Sequence, residues 1–245
     1  MSERVLKGRV ALVTGAARRI GRSVALRFAA EGADVVVNYR GSQREAEAVA
    51  AECAAQGVRA FAHRANVAKR AEVAAMLAVV REKMGRLDIL VNNAGAFEHA
   101  KFMELTDEQW DAMLETNVKS QFVCSQLAAP LLREARPGPG RIINLSSLGG
   151  LLAWPGHTHY CVSKAGSIML TRCMARALAP EILVNSVAPG TIQFEGELPD
   201  EDYVRRAPLK RTGTGDEIAD AVMFFATTTF VTGQVLAVDG GRMPT

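Results

Sequence analysis

The sequence predicts a doubly wound α/β fold, one parallel sheet of seven strands with helices on both faces. Three observations carry this expectation. Short apolar runs rich in valine and isoleucine recur along the whole chain, separated by longer amphipathic stretches. The runs are continuous rather than alternating, which marks strands buried on both faces, as in a parallel sheet covered by helices. No linker or low-complexity segment interrupts the pattern, so residues 1–245 are expected to form a single domain.

Taken in order, the first strand is expected at 10–15 (VALVTG) and turns into a helix over 20–31. The second, 34–40 (DVVVNYR), precedes a helix over 42–56, and the third, 58–67 (VRAFAHRANV), precedes one over 69–84. Strand four, 87–95 (LDILVNNAG), is followed by a long helical pattern over 107–135, and strand five, 141–147 (RIINLSS), by one over 160–179. After strand six, 182–190 (ILVNSVAPG), residues 191–214 show no clear periodicity. A helix over 215–226 and a last strand at 234–241 (QVLAVDGG) complete the chain. A connection as long as 191–214 is more often a lid or substrate loop than an idle link, and its place after the sixth strand puts it over the open edge of the sheet.

Composition narrows the function. Apolar residues at 49% and charged residues at 22% fit a soluble protein with a sizeable core. A net charge of +3, spread along the chain, gives no reason to expect nucleic-acid or membrane partners. Cys53, Cys124, Cys161 and Cys173 lack metal-finger or CxxC spacing and read as reduced thiols of a cytoplasmic protein. His157 and His159 have no acid or thiol nearby to complete a ligand set, so no metal is expected. The N-terminus has no apolar signal core, and no apolar run approaches ~18 residues.

The turn after the first strand, 14–21 (TGAARRIG), is bracketed by Gly15 and Gly21. There, backbone N–H groups and a helix N-terminus can meet a pyrophosphate, which gives the fold a Rossmann-type dinucleotide site. The end of the second strand reads the adenine ribose: an acid favours NAD, an arginine favours NADP. Here 38–42 (NYRGS) offers Arg40 and no acid, and Arg18 in the loop adds a second charge, so NADP (NADPH) is the expected cofactor. The alternative is that both are ordinary surface arginines.

Tyr160 and Lys164 are four apart in a helical pattern and share one face. Ser147 closes a strand at its C-terminal end, where ligands bind in open α/β sheets. Serine, tyrosine and lysine beside a nicotinamide make a carbonyl-reducing site. Free tyrosine titrates near pH ~10; a lysine ammonium and an oxidised nicotinamide favour the phenolate. Bringing that value near neutrality takes roughly 4 kcal/mol. Tyr160 then exchanges a proton with the substrate oxygen while hydride moves at the nicotinamide.

Together TGxxxxxG, 92–95 (NNAG), Asn117 in 115–120 (ETNVKS), Ser147, 160–164 (YCVSK), 189–190 (PG) and 238–241 (VDGG) resemble the short-chain dehydrogenase/reductase family, from about residue 8 to 242. The resemblance implies Tyr160 as general acid/base and Lys164 on the nicotinamide ribose, lowering the tyrosine's pKa. It implies Ser147 on the substrate oxygen and Asn117 holding the water of a proton relay. Asn93, Ala94 and Gly95 would line the adenosine side, and Pro189, Gly190 and Ile192 the nicotinamide end. Asn66 and Val67 stand where the family usually has an aspartate touching adenine. With Gly15, Arg18, Arg19, Ile20, Gly21 and Arg40 these complete the cofactor set. Arg19 departs from the family's usual small residue; TGxxxRxG is similar instead to the pteridine-reductase branch, as is Phe97, a ring-stacking or wall residue. Ser147, where that branch has an aspartate, is the carbonyl-reductase residue. Trp154 is expected to line the substrate pocket, with core packing as its alternative. The expected reaction is NADPH-dependent reduction of a 3-oxoacyl group or similar small ketone. A pteridine or dihydrofolate reductase and a non-catalytic NADP sensor are the alternatives. Family members usually form homotetramers through the long helices and the last strand.

Overall fold

The computed structural model describes residues 4–243. Its seven strands form one sheet in the order β3-β2-β1-β4-β5-β6-β7. They are β1 (Val10–Val13), β2 (Asp34–Tyr39), β3 (Ala60–Arg64), β4 (Ile89–Asn92), β5 (Gly140–Leu145), β6 (Ile182–Pro189) and β7 (Val235–Val238). Every pairing is parallel. All residues of β1, β4, β5 and β6 are buried, which is why these segments read as unbroken apolar runs.

Helices α1 (Arg19–Ala30), α2 (Gln43–Ala54) and α8 (Gly215–Thr227) cover one face, through Phe28, Val49, Cys53, Val222 and Phe225. Helices α3 (Arg70–Met84), α5 (Ser120–Arg133) and α6 (Thr158–Leu178) cover the other, through Met76, Val80, Val123, Leu132 and Ala175. Each boundary has a local cause. Thr106 with Gln109 and Thr214 with Glu217 form capping boxes that start α4 (Asp107–Leu114) and α8. Gly85, at φ +79°, ends α3 in the left-handed conformation.

Two segments differ from the sequence expectation. The 107–135 pattern is not one helix: between α4 and α5 runs a π-helical turn, Glu115–Lys119, with Asn117 buried at its centre. The 191–214 segment is not all loop. It leaves and returns at an Ile192–Gly213 bridge and carries α7 (Glu201–Arg206), capped by the Asp200 side chain.

The strand order reverses between β1, which continues to β2 and β3, and β4, which continues to β5. In doubly wound sheets the crevice at that switch point, beyond the carboxyl ends of the strands, is where ligands bind.

Candidate active site

A cleft of about 810 Å³ opens at the switch point, from the glycine turn after β1 past the ends of β4 and β5 to the segment after β6. Gly15 sits at φ +62°, and a Cβ there would come within 2.9 Å of Ala94 Cα. At Gly21 a Cβ would lie 2.6 Å from both Gly15 O and Asn93 Nδ2. Only glycine lets the turn fold this tightly onto the 93–94 backbone. Side chains brace it from behind. Asn93 Nδ2 donates to Thr14 O (2.8 Å) and Gly15 O (3.0 Å), and Thr14 Oγ1 accepts from the Asn93 and Ala94 N–H groups. Asn93 thus shapes the glycine turn, and Ala94 and Gly95 line the cleft beside it.

Asn38 was not among the residues singled out from the sequence. It is buried in β2, accepts from Gly15 N–H (3.2 Å) and donates to Ala65 O (3.0 Å), tying the turn to the end of β3. A lone asparagine inside an apolar run was the available signal, since a buried amide must be hydrogen-bonded. Ala112, Met113, Thr116 and Phe194 are further lining residues that no motif marks.

Arg18 and Arg40 line the cleft where β2 ends, both exposed, and neither makes an ion pair among the described residues. These unpaired guanidiniums and the close-packed glycine turn fit a dinucleotide carrying an extra phosphate. Arg19 lines the same cleft. It adopts φ +56°, and its guanidinium pairs with Glu197 and lies 4.5 Å from the centre of the Phe194 ring. It therefore joins the cofactor turn to the segment after β6. Asn66 and Val67 line the cleft just beyond β3, and Asn66 Oδ1 closes a turn on the Ala68 N–H (3.1 Å). Ile20, Pro189, Gly190 and Ile192 also line the cleft.

Ser147, Tyr160 and Lys164 meet in the same cleft. Lys164, fully enclosed, donates from Nζ to Leu145 O (2.9 Å), and its ammonium lies 5.8 Å from the Tyr160 ring centre. Burial pushes that ammonium down to about 8. Burial pushes the Tyr160 phenol above its ordinary value, against a hydrogen bond with Ser147 that favours the phenolate. Desolvation of the ring outweighs that hydrogen bond. Ser147 Oγ also accepts from the Gly149 N–H (3.1 Å), which fixes the hydroxyl.

Asn117 anchors the loop after β4. Its Oδ1 accepts from Ala96 N–H (2.7 Å), while Nδ2 donates to Ala96 O (3.0 Å) and Ser163 Oγ (2.9 Å). Phe97, 60% exposed, stacks on His157 (4.6 Å) and meets Tyr160 edge-on (4.7 Å); Trp154 stacks on Tyr160 at 6.1 Å. Both therefore wall the tyrosine side of the mouth. Among the described residues no group of His, Cys, Asp or Glu could hold a metal ion, and no helix is long and apolar enough to cross a membrane. Burial pushes the Cys53 and Cys124 thiols up to about 12, far from nucleophilic.

A parallel sheet with a glycine-turn cleft, and a tyrosine–lysine–serine group at its far end, define a nucleotide-dependent oxidoreductase. Residues 15–242 match the family described as enoyl-(acyl carrier protein) reductase. The chain is 46% identical over 239 residues to 3-oxoacyl-(acyl-carrier-protein) reductase FabG of Staphylococcus aureus, covering 94% of this chain and 96% of that one. It is 40% identical over 244 residues to the 3-oxoacyl-(acyl-carrier-protein) reductase of Synechocystis, covering 97% and 98%. A Serratia marcescens short-chain dehydrogenase/reductase superposes with a TM-score of 0.90 at 36% identity, over 97% of this chain and 98% of that one. The chain belongs to the short-chain dehydrogenase/reductase family.

Proposed function

We propose that the protein is an NADPH-dependent reductase of 3-oxoacyl or similar small ketone substrates. The observation that carries this is the convergence of Ser147, Tyr160 and Lys164 in the cleft that begins at the glycine turn. The relatives named as 3-oxoacyl reductases support the substrate class. Arg18 and Arg40 would hold the 2′-phosphate, the turn from Gly15 to Gly21 the pyrophosphate, and Pro189, Gly190 and Ile192 the nicotinamide end. A reduced nicotinamide held there would supply hydride to the carbonyl carbon.

The residues of the chain handle the oxygen. Ser147 Oγ hydrogen-bonds the carbonyl oxygen and orients it toward Tyr160. The raised pKa keeps the Tyr160 phenol protonated, the state a general acid needs when the substrate is reduced. Lys164 places positive charge behind the phenol and stabilises the phenolate left after proton transfer. Asn117 holds the 95–96 backbone against α6 so that this geometry persists. The 191–214 segment would close over the substrate within a single domain spanning the chain. We further infer a cytoplasmic homotetramer, supported by Phe122, Val162 and Met169 exposed on α5 and α6 and Leu236 exposed on β7.

The test is NADPH consumption with a short 3-oxoacyl thioester and with a dihydropteridine, by the wild type and by Tyr160→Phe. Turnover of the thioester, lost by orders of magnitude in the variant while NADPH affinity holds, is the expected result. Turnover of the pteridine alone would transfer the site to the pteridine branch, with Arg19 and Phe97 as its determinants. A variant as fast as the wild type would remove Tyr160 as the acid.

A further inference from the structure

The opposite end of the sheet carries a second cavity, of about 660 Å³. Its walls come from the segment before β1, the 137–141 turn into β5, and the C-terminal half of α8 with the residues after it. Arg141 is the second residue of β5, four before Leu145, whose carbonyl anchors Lys164. At about 3.3 Å per strand residue the two lie roughly 13 Å apart. This cavity is therefore separate from the cofactor cleft.

Arg141 is 5% exposed, and its guanidinium pairs with no carboxylate among the described residues. Its Nη groups donate to the carbonyls of Pro139, Gly140 and Thr228, the last at 2.8 Å. Its Nε, also buried, has no partner among the described residues. Burial and the neighbouring charge of Arg9 push the guanidinium down to about 10. A buried cation answered only by neutral carbonyls is costly unless an anion joins it.

The surrounding carboxylates are taken by other arginines. Arg9 and Arg86 share the single carboxylate of Asp88, while Arg27 takes both Glu31 and Asp220. Four arginines thus face three carboxylates, and among the described residues Arg141 is the one of the four with no carboxylate partner. Val5, Leu6, Met223 and Phe224 give the wall an apolar stretch, with Val5 and Phe224 exposed, and Thr227 and Thr229 border it.

We propose that this cavity binds a monocarboxylate with an apolar tail, its carboxylate against the Arg141 guanidinium and its tail along Leu6, Met223 and Phe224. One negative charge matches the one unmatched guanidinium. A dianion would bring its second charge against Glu31 and Asp220, and an inorganic anion would leave the apolar wall in water.

Octanoate is the probe, titrated calorimetrically into the full-length protein at fixed ionic strength, with octan-1-ol and sodium sulfate as controls. Saturable binding of octanoate, at least tenfold tighter than of either control, is expected. Arg141→Gln should weaken it at least tenfold. Thr229→Trp should do the same from an exposed position that leaves Arg141 in place, and it decides the matter alone if Arg141→Gln does not fold. Absence of octanoate binding to the wild type overturns the proposal. So does equal binding by wild type and Thr229→Trp, which would put the anion in the cofactor cleft, or sulfate binding as tight as octanoate's, which would leave an inorganic anion site.

Discussion

Replacing Lys164 by methionine should abolish turnover and stabilise the fold. Burial holds the ammonium at about 8 against the ordinary 10.5. At 1.36 kcal/mol per pH unit, carrying that proton in the native state at pH 7 costs about 3 kcal/mol. Methionine fills nearly the same volume without charge, but it forfeits the hydrogen bond to Leu145 O, worth about 1 kcal/mol. Gln121 Nε2 still reaches that carbonyl at 3.4 Å, so the acceptor is not left bare. The net gain at pH 7 is therefore about 2 kcal/mol, a rise in Tm of roughly 4–8 °C for a chain of this size. The gain must depend on pH. Between about 8 and 10.5 the unfolded chain binds the proton and the native protein does not, so wild-type stability rises with pH through that window. The variant lacks this rise, and its advantage should vanish and slightly reverse by pH 10.5. Urea unfolding of both proteins at pH 7 and 10.5, without cofactor, measures this. A variant no more stable than wild type at pH 7, or a gap unchanged by pH, would refute the reasoning.

Two further outcomes follow from the cleft. Arg40→Ala removes one of two unpaired cations at the end of β2 and should weaken NADPH at least tenfold, an effect of about 1.4 kcal/mol, while NADH affinity moves little; fluorescence titration with both cofactors checks this, and equal losses would exclude a 2′-phosphate role. Gly21→Ala forces a Cβ to within 2.6 Å of Gly15 O and Asn93 Nδ2, so the turn must open. NADPH affinity should fall at least tenfold by the same titration, and near-wild-type binding would show that the turn is not the phosphate cradle.

Much of this architecture was legible in the sequence because burial on both faces of a parallel sheet writes itself as apolar runs. The strands proved shorter than the runs, as with 58–67 against Ala60–Arg64: Arg59 and Ala65 still hydrogen-bond β2 at Val35 and Tyr39, while Val58, Asn66 and Val67 lie beyond the pairing. The serine, tyrosine and lysine were legible through helical spacing and strand-end position. What escaped depended on contacts distant in sequence or on shifts of phase. Arg19 pairs with Glu197, 178 positions away, and nothing local announces that partner. The π-helical turn leaves the apolar periodicity of 107–135 nearly intact, because one extra residue blurs a stripe without breaking it. Helix α7 did leave a trace: Asp200, two acids in the first turn and Arg205 with Arg206 in the last match the polarity of a helix dipole.

That wide turn at Glu115–Lys119 fixes the length of the chain where loops elsewhere leave it free. Deleting any one of its five residues would give a more regular helix. It would also rotate everything beyond by about 100°. Gln121 would swing off Ser167 and Leu145, Ser125 would swing off Asn92, and Asn117 would lose its hold on Ala96. Insertions and deletions should therefore be tolerated in the exposed 101–104 stretch before α4, and be lethal between α4 and the end of α5. The reading frame of one helix, as much as any side chain, keeps the catalytic floor level.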